Sequence, residues 1–425
     1  MIIKKGNSPL YRSLLIAICL ALMTYSVALA ASGGLDTSFS GDGKIIQSFG
    51  GSQHVGWNVA IQSDGKIVVV GDKWLSNGGR DFAIARYNTN GTLDTTFNGN
   101  GRQVVSIGVL DQALSVAIQS DGKIVVGGQT CSADGAVCDV ALVRLKTNGK
   151  LDTSFSGDGK VTTDIGSADN GGFDLTLQGS KIVVAGYMYD GSSYNATVYR
   201  YNANGSLDST FNGDGILPID FGQDDFFHGV IVNSGKIYVV GNSGPSDGST
   251  SDFIAARINS NGTPDTTFSA DGKVKTDLGG YDQANDLVIS SGKVIVVGYS
   301  STKLAIVQYT ASGALDTTFS GDGKLTANLG FPSPIINGVA IQGGKIIVAG
   351  RTDRSSRFTG DGLLVRYTAT GNLDTTFGHG GIVSTNWGGG DSYRSVVFKN
   401  SRIYVVGTST TASDLRRFII ASYLP

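Results

Sequence analysis

LDTSFSGDGK occupies Leu35 to Lys44 and returns unchanged at Leu151 to Lys160. Close copies begin at Leu93, Leu207, Leu315 and Leu373, and TPDTTFSADGK at 263–273 is the seventh. Three positions hold in every copy. The Asp is Asp36, Asp94, Asp152, Asp208, Asp265, Asp316 and Asp374. A Phe follows three residues later and a Gly four beyond that. A residue written once per repeat serves the repeat, whereas a unique site needs it once. The phrase therefore reads as a connector. Asp shapes an Asx turn by accepting N–H groups two residues on. Phe buries a ring under the turn, and the glycines supply positive φ before the next strand.

Between the connectors lie four strand-like runs. In the second copy these are GRQVVSIG (101–108), ALSVAIQ (113–119), KIVVGG (123–128) and DVALVRLK (139–146). SVAIQ and VALVRL alternate, while the KIVVVG-type runs are apolar throughout, as in a strand buried on both faces. Such a four-stranded unit cannot hide both faces alone. Seven of them set radially can, which is an all-β, seven-bladed β-propeller of four-stranded antiparallel blades. An open β-solenoid is the other possibility, but it needs capping repeats, and none is visible. Once the N-terminal segment read below as a signal is set aside, the mature chain begins with an outer-strand sequence, KIIQSFG (44–50), and ends with a third-strand sequence, RRFIIASYLP (416–425). The expectation is a last blade of 393–398, 402–407 and 417–423, with 44–49 closing the ring and leaving no free edge.

The 425 residues hold 62 Gly, 7 Pro and 16% charged residues, a folded composition rich in tight turns. Lys4, Lys5 and Arg12, the apolar run Leu14–Met23 and Ala28-Leu29-Ala30 read as a secretory signal over residues 1–30, cut before Ala31. The rival is an uncleaved membrane anchor. Residues 31–425 then form a single domain without stable membrane insertion, located outside the cell, in the periplasm or on the surface. The formal charge of −2 becomes −5 without the signal, which excludes the basic footprint of a nucleic-acid binder. Cys131 and Cys138 fall in one loop and predict a local disulfide, the alternative being two free thiols.

The stretches LDTTFNGNG, VAIQSDGKIVVVG and DFAIARYNTNG resemble the delta-60 repeat family of bacterial extracellular repeats, over roughly residues 35–425. The blade order more loosely resembles kelch propellers. The resemblance implies a propeller-like module of secreted or surface proteins and transfers no activity. Copies three to seven depart from it, with QSDGK becoming QGSK, NSGK, SSGK, QGGK and KNSR, and the fifth copy is short.

The connectors carry two carboxylates at spacing six, but not the order or the closing Glu of a calcium loop, so no metal and no cofactor is expected. Arg86, Arg144, Arg200, Arg257 and Arg366 end the third strand in five copies and are expected to pair with the connector Asp. The three histidines, His54, His228 and His379, show no ligand spacing, and no catalytic motif is present. Variation concentrates in loops that a propeller places on one face: 73–80, 129–139, 187–195, 242–252 and 351–362, with 223–229, 279–284 and 330–334 between blades. They supply Trp74, Tyr187, Tyr189, Tyr194, Asp224, Asp225, Phe226, Phe227, His228, Tyr281, Tyr299 and Arg351 as ligand-binding candidates. Aromatics beside polar groups suit a polysaccharide or a partner protein, although the same rings also serve to pack loops. The leading reading is a non-enzymatic binding module. The alternative is a polysaccharide hydrolase or lyase at the channel mouth, with Asp224, Asp225 and Asp282 as available carboxylates.

Overall fold

The computed structural model describes residues 31–425, apart from 52, 167, 168, 354 and 357. The expected signal peptide, 1–30, lies outside the described residues. Among these residues there is no helix, and none long and apolar enough to cross a membrane. The body Ser32–Pro425 is all β: five sheets of four strands and one of eight.

The first unit shows the pattern. β1 (Lys44–Gln47) belongs elsewhere; β2 (His54–Ile61), β3 (Ile67–Trp74), β4 (Arg80–Tyr87) and β5 (Arg102–Val105) pair in chain order, all antiparallel. The eight-stranded sheet is two such units joined by one parallel bridge, Arg80 to Leu110. Strands in the β3 position are buried on both faces, as Ile67–Val70 illustrates at 0% exposure, because each unit packs its two faces against neighbours. The last unit has only three strands of its own, Gly390–Lys399, Arg402–Thr410 and Arg416–Tyr423. Its fourth is β1, paired Lys44 to Ala421 through Gln47 to Phe418. β2 in turn lies against that unit: Ser395 Oγ donates to Asn58 Oδ1 at 3.3 Å.

The repeated connector is the staple between units. Asp94 Oδ1 accepts Thr96 N–H at 3.1 Å, the expected Asx turn. Its Oδ2 receives Arg86 Nε at 2.7 Å and Lys66 Nζ at 3.0 Å. Arg86 also stacks on Phe97, 4.8 Å from the ring centre, and reaches Thr147 O of the next unit at 2.5 Å. The same Arg–Asp–Lys clamp recurs at Asp152, Asp208, Asp265 and Asp374. Where Arg is replaced, the clamp adapts. Gln308 donates to Asp316 at 2.6 Å beside Lys293. At Asp36 the third-strand residue is Ser422, and Arg402 supplies the charge at 2.6 Å. Against the cost of burial, these donors hold Asp94, Asp208, Asp265 and Asp374 well below the usual carboxylate range.

Beyond the Phe, one residue per copy turns its N–H onto a carbonyl of the following unit. The pairs are Ser40–Asn90, Asn98–Asn148, Ser156–Asn204, Asn212–Asn261, Ser269–Ser312, Ser320–Thr370 and Gly378–Ser32, at 2.7–3.0 Å. The next unit's glycine lies on the ring: a Cβ at Gly149 would stand 2.7 Å from Phe97. Its φ of +82° also favours glycine. Cys131 and Cys138 are joined in a disulfide, as expected.

Truncating one staple ring tests this account. Phe155→Ala, at a fully buried position under Arg144, should cost about 3–5 kcal/mol. Chemical denaturation would read the loss, and a change below about 1 kcal/mol would contradict the packing role.

Candidate ligand-binding channel and loop face

The first strand of each unit carries a β-bulge at the same place. The extra residues are Trp57, Leu114, Phe173, His228, Asn285, Asn337 and Arg394. All seven line a single cavity of about 230 Å³, together with Asn58, Asp174, Gln283, Asp286 and Ser395. The bulge explains a repeated glycine. It brings a neighbouring carbonyl so close that a Cβ at Gly71, Gly128, Gly186, Gly241, Gly298, Gly350 or Gly407 would stand 1.8–2.0 Å from it. The Gly that ends each KIVVVG phrase is therefore a requirement of the bulge.

Two carboxylates face this cavity. Asp174 accepts Ser115 Oγ at 2.6 Å and Leu175 N–H at 2.8 Å on one oxygen, and Val230 N–H at 2.9 Å on the other. Asp286 accepts Leu287 N–H at 2.7 Å and Val339 N–H at 2.8 Å. Each thus ties its unit to the next. Burial raises both, and the charge of Asp174 adds to the effect on Asp286, which is pushed up to about 8. Asp72 is raised to about 7 by burial, opposed by Trp57 Nε1–H at 2.8 Å and Ala113 N–H at 3.0 Å. Burial drives His228 down to about 4, so it is neutral at pH 7, with Nε2 2.8 Å from Asn242 Oδ1.

From this cavity an aromatic run extends to the variable loops. Phe173 lies 4.9 Å from His228 and 5.3 Å from Tyr187. Tyr187 meets Phe226 at 5.4 Å, Phe226 meets Tyr194 at 5.3 Å, and Tyr194 meets Tyr189 at 5.1 Å. Tyr187 is buried at 7% exposure, while Tyr189, Tyr194, Phe226, Phe173 and His228 are all partly open. Beside them a cavity of about 260 Å³ is lined by Tyr194, Asp224, Phe226 and Tyr281. Tyr281 stacks on Tyr299, 6.1 Å apart, and both border an open depression with Arg351. Five of the expected residues thus form one run, with Asp224 at its edge holding Tyr194 N–H at 3.1 Å.

Other expected residues do not join it. Phe227 is fully buried in the core against Phe221, because strand alternation turns it away from Phe226. Asp225 is likewise buried and closes its loop by accepting Phe221 N–H at 2.6 Å. Asp282 does the same for Leu278 at 2.6 Å. Trp74 sits apart, between Arg80 at 4.3 Å and Arg416 at 4.6 Å. Among the described residues, one acidic trio, Asp252, Asp277 and Asp282, has carboxylate oxygens close enough to share a cation. Lys275 already lies 3.4 Å from Asp252.

Sequence reading missed Asp174, Asp286, Phe173 and Arg394. Aligning the copies on the KIVVVG glycine sets the bulge position side by side and shows that it differs in kind from copy to copy, but so do the inner-strand positions on either side of it, so the pattern does not single the bulge out.

Six stretches, 62–97, 119–155, 180–211, 233–268, 289–319 and 344–377, match the family described as a β-propeller domain of unknown function, DUF5122. No curated protein matches the chain in sequence. Similar solved structures include the WD40 β-propeller domain of Doa1, at 14% identity and a TM-score of 0.49, covering 89% of this chain and 97% of that one. Sqt1 from Chaetomium thermophilum is 10% identical over 88% and 97% of the two chains, with a TM-score of 0.45. The β-propeller domain of the Trilobed protease from Pyrococcus furiosus is 12% identical over 88% and 96%, with a TM-score of 0.43. The all-β architecture of packed four-stranded units and the family match together define the chain as a β-propeller.

Asp286 supplies a pH test. Its folded carboxyl holds a proton up to about pH 8, whereas the unfolded one loses it near 3.9. Stability from this group is full below pH 4 and is lost as pH rises through 8. Asp286→Asn should flatten the decline in Tm between pH 5 and 9. An unchanged pH profile would refute the assignment.

Proposed function

We propose that this chain is a secreted, non-enzymatic propeller of seven blades, closed by its N-terminal strand, that binds a polysaccharide across its variable-loop face. Closure is supported by β1 pairing with Arg416–Tyr423 and by the Gly378–Ser32 hydrogen bond, which repeats the staple of every other seam. The cavity lined by the first strand of all seven units fits the same ring. Secretion rests on residues 1–30 and agrees with a disulfide on the loop face. The observation that carries the binding role is the unbroken run of rings from Tyr189 to His228. Partly open aromatic faces flanked by Asp224 and Asn242 suit the apolar faces and hydroxyl edges of sugars.

A hydrolytic reading has one observation in its favour, the raised carboxyls of Asp174 and Asp286 in one cavity. Both oxygens of each accept hydrogen bonds, and one donor to each comes from the next unit, Val230 N–H to Asp174 and Val339 N–H to Asp286, which weighs toward a structural task.

A glycan array followed by calorimetry tests the binding role. Tyr194→Ala combined with Phe226→Ala should weaken a retained glycan roughly 10- to 100-fold with Tm preserved. A protein that retains no glycan, or a double variant that binds as before, overturns it. Cleavage of a retained glycan that Asp286→Asn abolishes would establish the hydrolytic reading instead. Removing residues 31–50 should lower Tm by more than about 5 °C, and an unchanged Tm would refute closure.

A further inference from the structure

Next to the channel lies a second cavity, of about 140 Å³, whose lining includes Trp57, Arg351, Ser392, Arg394, Thr408 and Arg416. Arg394 is the bulge residue of its strand and borders both cavities. Its guanidinium lies 4.8 Å from the Trp57 ring, and its Nε is buried with no hydrogen-bond partner among the described residues. No carboxylate pairs with it among those residues. The charges acting on it are two more cations, Arg351 and Arg416, and burial together with these lowers it to about 10. Arg351 itself has Asp353 nearby. Thr408, 8% exposed, leaves its Oγ1 unpartnered in the same cavity. The connector arginines Arg86, Arg144, Arg200, Arg257 and Arg366 each have an Asp. Arg394, at its bulge, has none, and a cation with its Nε buried beside like charges is unfavourable unless an anion joins it.

We infer that the Arg394 pocket binds a single oxyanion, a carboxylate or sulfate group carried on the polysaccharide that the aromatic run engages. The polymer part of this inference rests on the proposed function; the anion site stands without it. Guanidinium groups and a threonine hydroxyl offer convergent donors for two or three anionic oxygens. The Trp57 face fixes Arg394 for that approach.

Calorimetry on the purified protein separates the sources: oligogalacturonate for carboxylate, dextran sulfate for a sulfate ester, neutral dextran as the uncharged control, and sodium sulfate as the free ion. One charged glycan should bind at least about 10-fold tighter than the neutral one, and Arg394→Gln should abolish that preference alone. Sulfate should raise the Tm of the wild type and not of Arg394→Gln, while the unliganded variant melts no lower than wild type. Arg394→Lys, which keeps charge but not the fork, should retain part of the preference. Equal binding of neutral and charged glycans, or a preference that survives in Arg394→Gln, overturns the pocket and leaves the polysaccharide reading intact. Sulfate binding that needs Arg394 with no glycan bound sustains the pocket and ends the polysaccharide reading. Binding of none of the four ends both.

Discussion

Every unit of this protein exposes two apolar faces, and the connector Asp is the group on which their mutual burial depends. It fixes its own turn through Oδ1 and gathers cations through Oδ2. The gathered Arg covers a Phe, and the turn beyond that Phe donates to the neighbouring unit. Local turn chemistry is thereby converted into contact between sheets. A buried ion pair is by itself weak evidence of stability. Here its value is geometric, since the same oxygen organises hydrogen bonds, ring and seam at one point.

The clamp also shows which substitutions a repeat tolerates. The Asp persists when Arg becomes Gln308 or Ser422, and a cation remains at Oδ2 in both cases, Lys293 or Arg402. The Lys that opens each KIVVVG-type run, Lys66, Lys123, Lys181, Lys236, Lys293 or Lys345, is therefore a second ligand of the Asp. Half-buried at the strand start, it reaches with its length to within 2.5–3.3 Å of a carboxylate that is itself buried.

The fold was legible because its causes are local and repeated. Asx turns, positive-φ glycines, doubly apolar strands and the displaced terminal strand can all be read from spacing. The staple was half legible: the ring of Phe155 could be placed under its turn, but not the hydrogen bond from Ser156 to Asn204. The site was legible in part for a related reason. Tyr187, Tyr189, Tyr194, Phe226 and His228 come from variable segments and do gather. Phe227 and Asp225 were included because a loop was expected where the strand Asp224–Asn233 already runs, and alternation sends neighbours to opposite sides. Arg394, at a bulge, and Asp174 and Asp286, each just after one, went unseen because a bulge is a mismatch between two strands that neither strand announces.

That mismatch has a wider consequence. A bulged residue is excused from the register of its sheet, so its identity can change while the pairing on either side stays the same. Across the units these positions spell Trp, Leu, Phe, His, Asn, Asn, Arg. They amount to a short word written across one cavity in an otherwise uniform text, and the scaffold leaves each letter free to change.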